Sequence, residues 1–435
     1  MLSAYPYSFV LYPLALKMKV SALAENLRGS EIIKIAGEIN ELKRQGQNIA
    51  NLTIGDYDSN IYPIPDELKQ GIVEAYAANQ TNYPPADGVL ALRESVSVFL
   101  KSRLGLDYKP NQILISGGSR PLIYSTFLAV VDPGDKVVFP APSWNNNHYC
   151  DLLKAEGIIV QTRAENNFMP TADELRPHIK GAALLALCSP LNPTGTMFGK
   201  KDLEEICDLV IAENKSRAAD EKPLYFLYDQ IYSQLTFGNN QHFDPVTFRP
   251  ELKDYVIFID GASKCFAATG VRVGWGFGPE GVINNMKAIV GHMGAWSPKA
   301  EQVAMAKYIM DDAAVNSYLD TLKARIQQSL ATLHEGFQQL KADGFSVDSI
   351  APMGAIYLTI KIDYKGKTTP EGSVLKTSAD INFYLIKEAK IAFVPFAAFG
   401  TDDEVTWFRA SVGACSYQDI ADAMPRVREA LAKLQ

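Results

Sequence analysis

Several stretches of the chain place chemically versatile side chains directly after short apolar runs. QILI (112–115) leads into SGGSRPL (116–122), where Gly118, Ser119 and Arg120 open a helical pattern. Uncovered backbone N–H groups at such a helix start make a cradle for an anion, phosphate above all. KVVFP (136–140) is followed by APSW, ending in Trp144, and ALLALC (183–188) by SPLNPTG, with Asn192 between prolines. LYFLY (224–228) runs into Asp229 and, three residues on, Tyr232. YVIFI (255–259) is followed by DGASK, which supplies Ser263 and Lys264. Each feature alone has a plain structural explanation: a capping turn, a core tryptophan, a proline turn, a helix cap, a solvated lysine. Their arrival after successive strands is what a ligand site at the carboxyl ends of a parallel sheet requires.

The elements that must position them follow from the same runs. With VRVGWGF (271–277) they make seven strand candidates, IIVQT (158–162) included, and most are apolar throughout, as strands covered on both faces are. Helical patterns lie between them at 121–130, 145–156 and 201–213. The fold class expected is α/β, a mostly parallel seven-stranded sheet covered by helices, with a smaller α+β domain. Arg272 lies near the start of 271–277, away from the other ligand ends unless that strand runs antiparallel. Residues 298–343 read as long and helical. Beyond them strands are expected near 356–361, 391–394 and 406–412, and helices near 379–389 and 417–434. Upstream, 19–45 has helical spacing, NIANLTI (48–54) reads as a strand, and 66–78 and 89–104 as amphipathic helices. The domain organisation expected is a tail at 1–18, a segment at 19–65 packing with the small domain, a large domain at 66–325 and a small one at 326–435.

Composition narrows the classes. The chain has 435 residues, 47% hydrophobic and 21% charged, with a net charge of −7. Collagen-like, low-complexity and disulfide-scaffold proteins are excluded, and an acidic balance opposes a general grip on nucleic acid. The five cysteines show no C-x-x-C pairing, which suits a reducing compartment. The five histidines are scattered and none stands four residues from another, so no metal site is expected. Residues 7–16 (YSFVLYPLAL) are too short to span a bilayer, lack the flanks of a signal peptide, and suggest a start at Met18 or a surface tail. No other run reaches membrane length, so a soluble, cytoplasmic protein is expected. Gly276–Gly281 fits G-x-G-x-x-G, but no second strand candidate with an acidic residue follows, so dinucleotide binding is set aside. The polar stretch 214–223 reads as a surface insertion.

The ordered set Gly55, Tyr83, Gly118–Arg120, Trp144, Asn192-Pro193-x-Gly195, Asp229-x-x-Tyr232, Ser263-Lys264 and Gly270-x-Arg272-x-Gly274 resembles the fold-type I pyridoxal-phosphate enzymes. Within them it is similar to the class I/II aminotransferases of the bacterial aspartate aminotransferase group. The likeness covers about residues 20–435. It implies pyridoxal 5′-phosphate as cofactor and amino transfer between an L-amino acid and a 2-oxo acid by a ping-pong route. Under it, Lys264 would form the Schiff base with the cofactor and then act as general base. Asp229 would keep the pyridine nitrogen protonated, Tyr232 and Asn192 would bond the ring's phenolic oxygen, and Trp144 would stack on the ring. Backbone N–H groups at Gly118–Arg120, with Ser263, Arg272 and a neighbouring subunit's Tyr83, would hold the phosphate, which implies a homodimer with shared sites. Arg409, in W-F-R-A-S-V-G, would fork onto the substrate α-carboxylate close to Gly55.

Three departures qualify the resemblance. Gly55 is followed by Asp56-Tyr57-Asp58 where the family often has Gly-x-Pro-Asp. Gly261 stands where a serine is frequent. Ser119 stands where relatives with a G-G-K-Q-A-L turn carry a lysine for a distal carboxylate, and the cation, Arg120, is one position later. Aspartate is therefore not implied, and Tyr57, Tyr62, Trp144 and Trp296 would suit aromatic or larger amino acids. The same residues would also serve a β-elimination lyase. A non-catalytic regulator would need an added DNA-binding unit, and residues 1–20 are too few for one.

Overall fold

The computed structural model describes residues 20–26, 35, 37, 39, 41, 42 and 44–435. The apolar stretch at 7–16, Met18, and Leu27, Ile32 and Ile33 of the first helical pattern lie outside them. A two-residue strand, β1 (Ala50–Asn51), precedes the main-sheet strands. These are β2 (Ile113–Ser116), β3 (Lys136–Ala141), β4 (Glu156–Gln161), β5 (Ala182–Cys188), β6 (Tyr225–Asp229), β7 (Val256–Gly261) and β8 (Gly274–Phe277). Their order is β2-β8-β7-β6-β5-β3-β4, parallel except for β8, which runs antiparallel to both neighbours. That reversal returns Arg272, just before β8, to the end of the sheet where β5, β6 and β7 finish.

Why these strands are apolar on both faces is visible in the packing. Val138, Leu185, Phe226 and Phe258 join one core cluster, whereas their neighbours Val137, Leu184, Leu227 and Ile257 join another on the opposite face. Helices therefore cover both sides. Edge strand β4 is half exposed and uses few of its side chains this way.

The remaining strands are β9 (Val347–Ser349), β10 (Tyr357–Ile362), β11 (Ile391–Ala392), β12 (Val394–Pro395) and β13 (Trp407–Ser411). They form an antiparallel sheet, β12-β13-β10-β9, and a parallel pair, β1-β11. Sequence periodicity merges β11 and β12 into one run. The chain divides it at Phe393 because one half pairs with β1 and the other with β13. The expected strand at 48–54 shrinks to β1, since only two of its residues find partners in β11. The helical stretch 298–343 is two helices, Lys299–Tyr308 and Asp312–Ala342, with the Asp311 side chain capping the second.

The long helix belongs to two cores: Val315 and Leu319 pack into the large-sheet cluster, and residues from Leu322 onward into the cluster around β10 and β13. Ile39 and Ile49 pack against Ile386 and Ala392, and Leu52 and Tyr62 join the β10 cluster. The polar stretch 214–223 is more than a surface insertion, because Arg217 is nearly buried. It pairs with Glu213 and donates to the carbonyls of Ala182 and Lys222, tying the loop to the amino end of β5, opposite the ligand ends.

Candidate active site

A cavity of about 640 Å³ opens where β5, β6 and β7 end. Its lining includes Gly55, Ser119, Arg120, Trp144, Asn192, Asp229, Tyr232, Ser263, Lys264, Arg272 and Arg409. Gly118 lies immediately behind this wall. Tyr83 does not reach the cavity of its own chain: it is 82% exposed and meets Trp296 edge-on, with ring centroids 5.4 Å apart.

The anion cradle is built by close approach. The helix Ser119–Val130 begins at Gly118 with no side-chain cap, so its first N–H groups face the cavity. Gly118 has φ +99°, and a Cβ there would overlap the Arg272 guanidinium. A Cβ on Gly274 would stand 2.6 Å from the Gly118 carbonyl carbon, which fixes glycine at that place in G-x-R-x-G. Arg272 itself has φ +60°. Its guanidinium donates to the carbonyls of Gly117 and Thr269, both at 2.6 Å, and this holds a fixed cation beside the cradle. Gly261, one of the three departures, is explained likewise: a Cβ would lie 2.8 Å from the Gly274 Cα.

At the end of β6, burial pushes the Asp229 carboxyl up to about 6, opposed by the Ile231 N–H and the Lys264 charge. Its only hydrogen bond among the described residues is from Ile231 N–H, 3.1 Å away, so a half-buried carboxylate faces the cavity without a cation in contact. Lys264 is pulled down to about 8, first by burial; Asp56 opposes this, and Arg409, Arg120 and Arg272 add to it. The Lys264 Nζ donates to the Gly55 carbonyl at 2.6 Å and lies 5.9 Å from the ring centroids of Tyr57 and Tyr232. Tyr57 in turn donates to the Lys264 carbonyl at 2.9 Å. An amine held this way loses its proton close to neutrality, which a general base requires.

Arg409, on β13, is 1% exposed. Its guanidinium lies 4.9 Å from the ring centroids of both Tyr357 and Phe399, donates to Asn192 Oδ1 at 3.0 Å and to the Thr53 carbonyl at 2.5 Å, and leaves Nε without a partner. No carboxylate of the described residues pairs with it, and burial lowers its affinity for the proton. A buried guanidinium of this kind is a receptor for an anion from outside.

Four signals were missed or misread from the sequence. Tyr357, Thr53 and Phe399 touch these groups and the Asp56 charge acts on Lys264, yet Tyr357 and Phe399 read as core and Thr53 acts through its backbone. Of the four aromatic residues expected around the substrate, Trp144 alone lines the cavity. Tyr62 packs in the small-unit core and meets Tyr57 edge-on, while Trp296 pairs with Tyr83. Among the described residues no group of histidine, cysteine and carboxylate side chains could hold a metal, and no helix is long and apolar enough to cross a membrane.

The family model for aminotransferase class I and II matches residues 47–427. The chain belongs to that family. Its cofactor is pyridoxal 5′-phosphate, and its reaction moves an amino group between an amino acid and a 2-oxo acid. Among relatives, the "probable aspartate/prephenate aminotransferase" of Rickettsia bellii is 29% identical, over 95% of this chain and 99% of its own. The aspartate aminotransferase of Rhizobium meliloti is 27% identical, over 93% and 94%. A crystal structure of the aspartate aminotransferase from Rhizobium meliloti superimposes with a TM-score of 0.86 at 24% identity, covering 96% of this chain and all of the other. At that identity the likeness speaks for the fold. This aminotransferase cavity fits its cofactor on its own chemistry. The uncapped helix start with Arg272 suits a phosphate, and the cation-free half-buried carboxylate of Asp229 suits a ring N–H.

Proposed function

We propose that this aminotransferase takes its amino group from an acidic L-amino acid, with the residues of the cavity in the following roles. When bound, pyridoxal phosphate supplies the carbonyl carbon that receives the amino group and the ring that takes up electrons released at the substrate Cα. Backbone N–H groups at Gly118–Arg120, Ser263 and Arg272 hold the phosphate. Asp229 keeps the ring nitrogen protonated, Tyr232 and the Asn192 Nδ2 donate to the ring's phenolic oxygen, and Trp144 covers a ring face. Lys264 would hold the cofactor through its amine, and that amine, once free, would take the Cα proton. Arg409 binds the α-carboxylate, held square to it by Asn192 and the Thr53 carbonyl.

The observation that carries this reading is the meeting of a half-buried amine, a half-buried carboxylate and a buried guanidinium without a counter-ion in one cavity. The substrate class rests on the arginines. Arg272 and Arg409 are held by carbonyl or amide oxygens, whereas Arg120 has no ion pair or hydrogen bond among the described residues and lies 5.2 Å from the Trp144 ring centroid. A third anion, the side-chain carboxylate of aspartate or glutamate, suits it, and the names of the relatives agree. We also assign the protein to the cytoplasm, as a homodimer in which each Tyr83 reaches the neighbouring site.

Mixing loaded enzyme with single amino acids tests the assignment. Aspartate or glutamate should bleach the visible absorbance, and a 2-oxo acid should restore it. Arg120→Ala should lower kcat/KM for acidic donors about 10- to 100-fold and leave apolar donors unchanged. Arg409→Lys should lower it for every donor by about 100-fold while the cofactor stays bound. Faster reaction with apolar donors would contradict the acidic assignment, and ammonia release without an acceptor would favour β-elimination.

A further inference from the structure

Tyr357, the first residue of β10, lines the same cavity beside Tyr232, Arg409 and Gly55. Its Oη lies 2.6 Å from the Oη of Tyr232, and the rings meet edge-on at 5.6 Å and 72°. Both side chains are buried, and the Arg409 guanidinium lies 4.9 Å over the Tyr357 ring. A Cβ at position 55 would stand 2.7 Å from the same hydroxyl, so Gly55 leaves the room it occupies. Among the described residues the Tyr357 hydroxyl has no hydrogen-bond partner except Tyr232.

Two neutral phenols in contact have two protons to place. Tyr232 can give its single proton to Tyr357 or to the cavity, not to both. Where Tyr357 donates, the Tyr232 proton is free for the cofactor's phenolic oxygen, and accepting a hydrogen bond strengthens Tyr232 as a donor. Burial raises both phenols, but the Arg409 charge opposes the rise at Tyr357 and leaves it the more acidic, hence the better donor of the pair.

We infer that Tyr357 is a positioning residue that donates to Tyr232, turns the Tyr232 proton toward the cofactor and links the Arg409 wall to the cofactor ring. The inference rests on the reading of Tyr232 given above. The variant Tyr357→Phe keeps the ring, its packing and the contact with Arg409, and removes only the donor.

The test is a pH titration of the visible absorbance of the loaded enzyme without substrate, with melting temperature measured in parallel. A donor on the phenolic oxygen favours the proton-free form of the cofactor linkage, so losing it moves the midpoint up. Tyr232→Phe should raise the midpoint. Tyr357→Phe should raise it less, by about half a pH unit. In the Tyr232→Phe background, Tyr357→Phe should add nothing, because the relay has no second member. If Tyr357→Phe lowers only the melting temperature while Tyr232→Phe moves the midpoint, Tyr357 is merely structural and this proposal fails alone. If neither variant moves the midpoint, the role of Tyr232 fails and takes this proposal with it.

Discussion

Asp229 and Asp260 show what a buried carboxylate does to the molecule before its partner arrives. Burial sets both, raising Asp229 to about 6 and Asp260 to about 7; the Asp229 charge adds to the rise at Asp260. Asp260 is held by the Gly261 N–H at 2.7 Å and the Gln230 amide at 3.2 Å. An unfolded aspartate titrates near 4, so between about pH 4 and 7 these two carboxyls hold more protons in the cofactor-free native state than in the unfolded state. Their contribution to stability therefore falls as pH rises through that window, opposed by His242, which burial lowers to about 4. The expected fall attributable to Asp229 is about 3 kcal/mol, lying mostly below pH 6. Urea unfolding of the cofactor-free protein and of Asp229→Asn should differ by this amount, the variant losing less stability as pH rises. The same slope in both proteins would contradict the electrostatic account.

Between β5 and the helix Lys200–Ser216, the loop carrying Asn192 turns back through Gly195 at φ +71°, where a Cβ would overlap the Tyr357 carbonyl oxygen. Gly195→Ala should cost about 2–4 kcal/mol, read as a lower melting temperature, and weaken cofactor retention because Asn192 shifts with the turn. An unchanged melting temperature would show that the contact gives way freely. Elements of this kind were legible where one physical rule decides them. Six of the seven main-sheet strands stand out because both faces are covered, and N-P-T-G stands out because a glycine must pass a backbone. The direction of β8 was not legible, since an apolar run has no polarity; pairing with β2 and β7 decides it. The division of 391–395 at Phe393 and the four-residue approach of Tyr357 to Tyr232, Arg409 and Gly55 depend on contacts between distant strands. An alternating strand pattern makes Tyr357 look like ordinary core. Of the expected aromatic surroundings, Tyr62 spends its ring on packing.

At the scale of the whole molecule, the long helix Asp312–Ala342 passes from one core to the other between Leu319 and Leu322. We propose that the domain boundary lies there, a few residues before the expected 325, and that the unit carrying Arg409 closes over substrate. The exposed Tyr83 predicts complementation between defective subunits. A hybrid of a Lys264→Ala subunit with a Tyr83→Ala subunit has one cavity with both residues intact, so a mixture of the two inactive proteins should regain about a quarter of wild-type activity on random pairing into dimers. No recovery, with hybrids demonstrably formed, would contradict the shared site. Which amine holds the cofactor decides every role assigned to the cavity. Borohydride reduction of the loaded enzyme, followed by peptide mass spectrometry, reads this directly. The phosphopyridoxyl group should appear on the peptide containing Lys264 and be lost in Lys264→Ala; finding it on another lysine, or on none, would contradict the assignment.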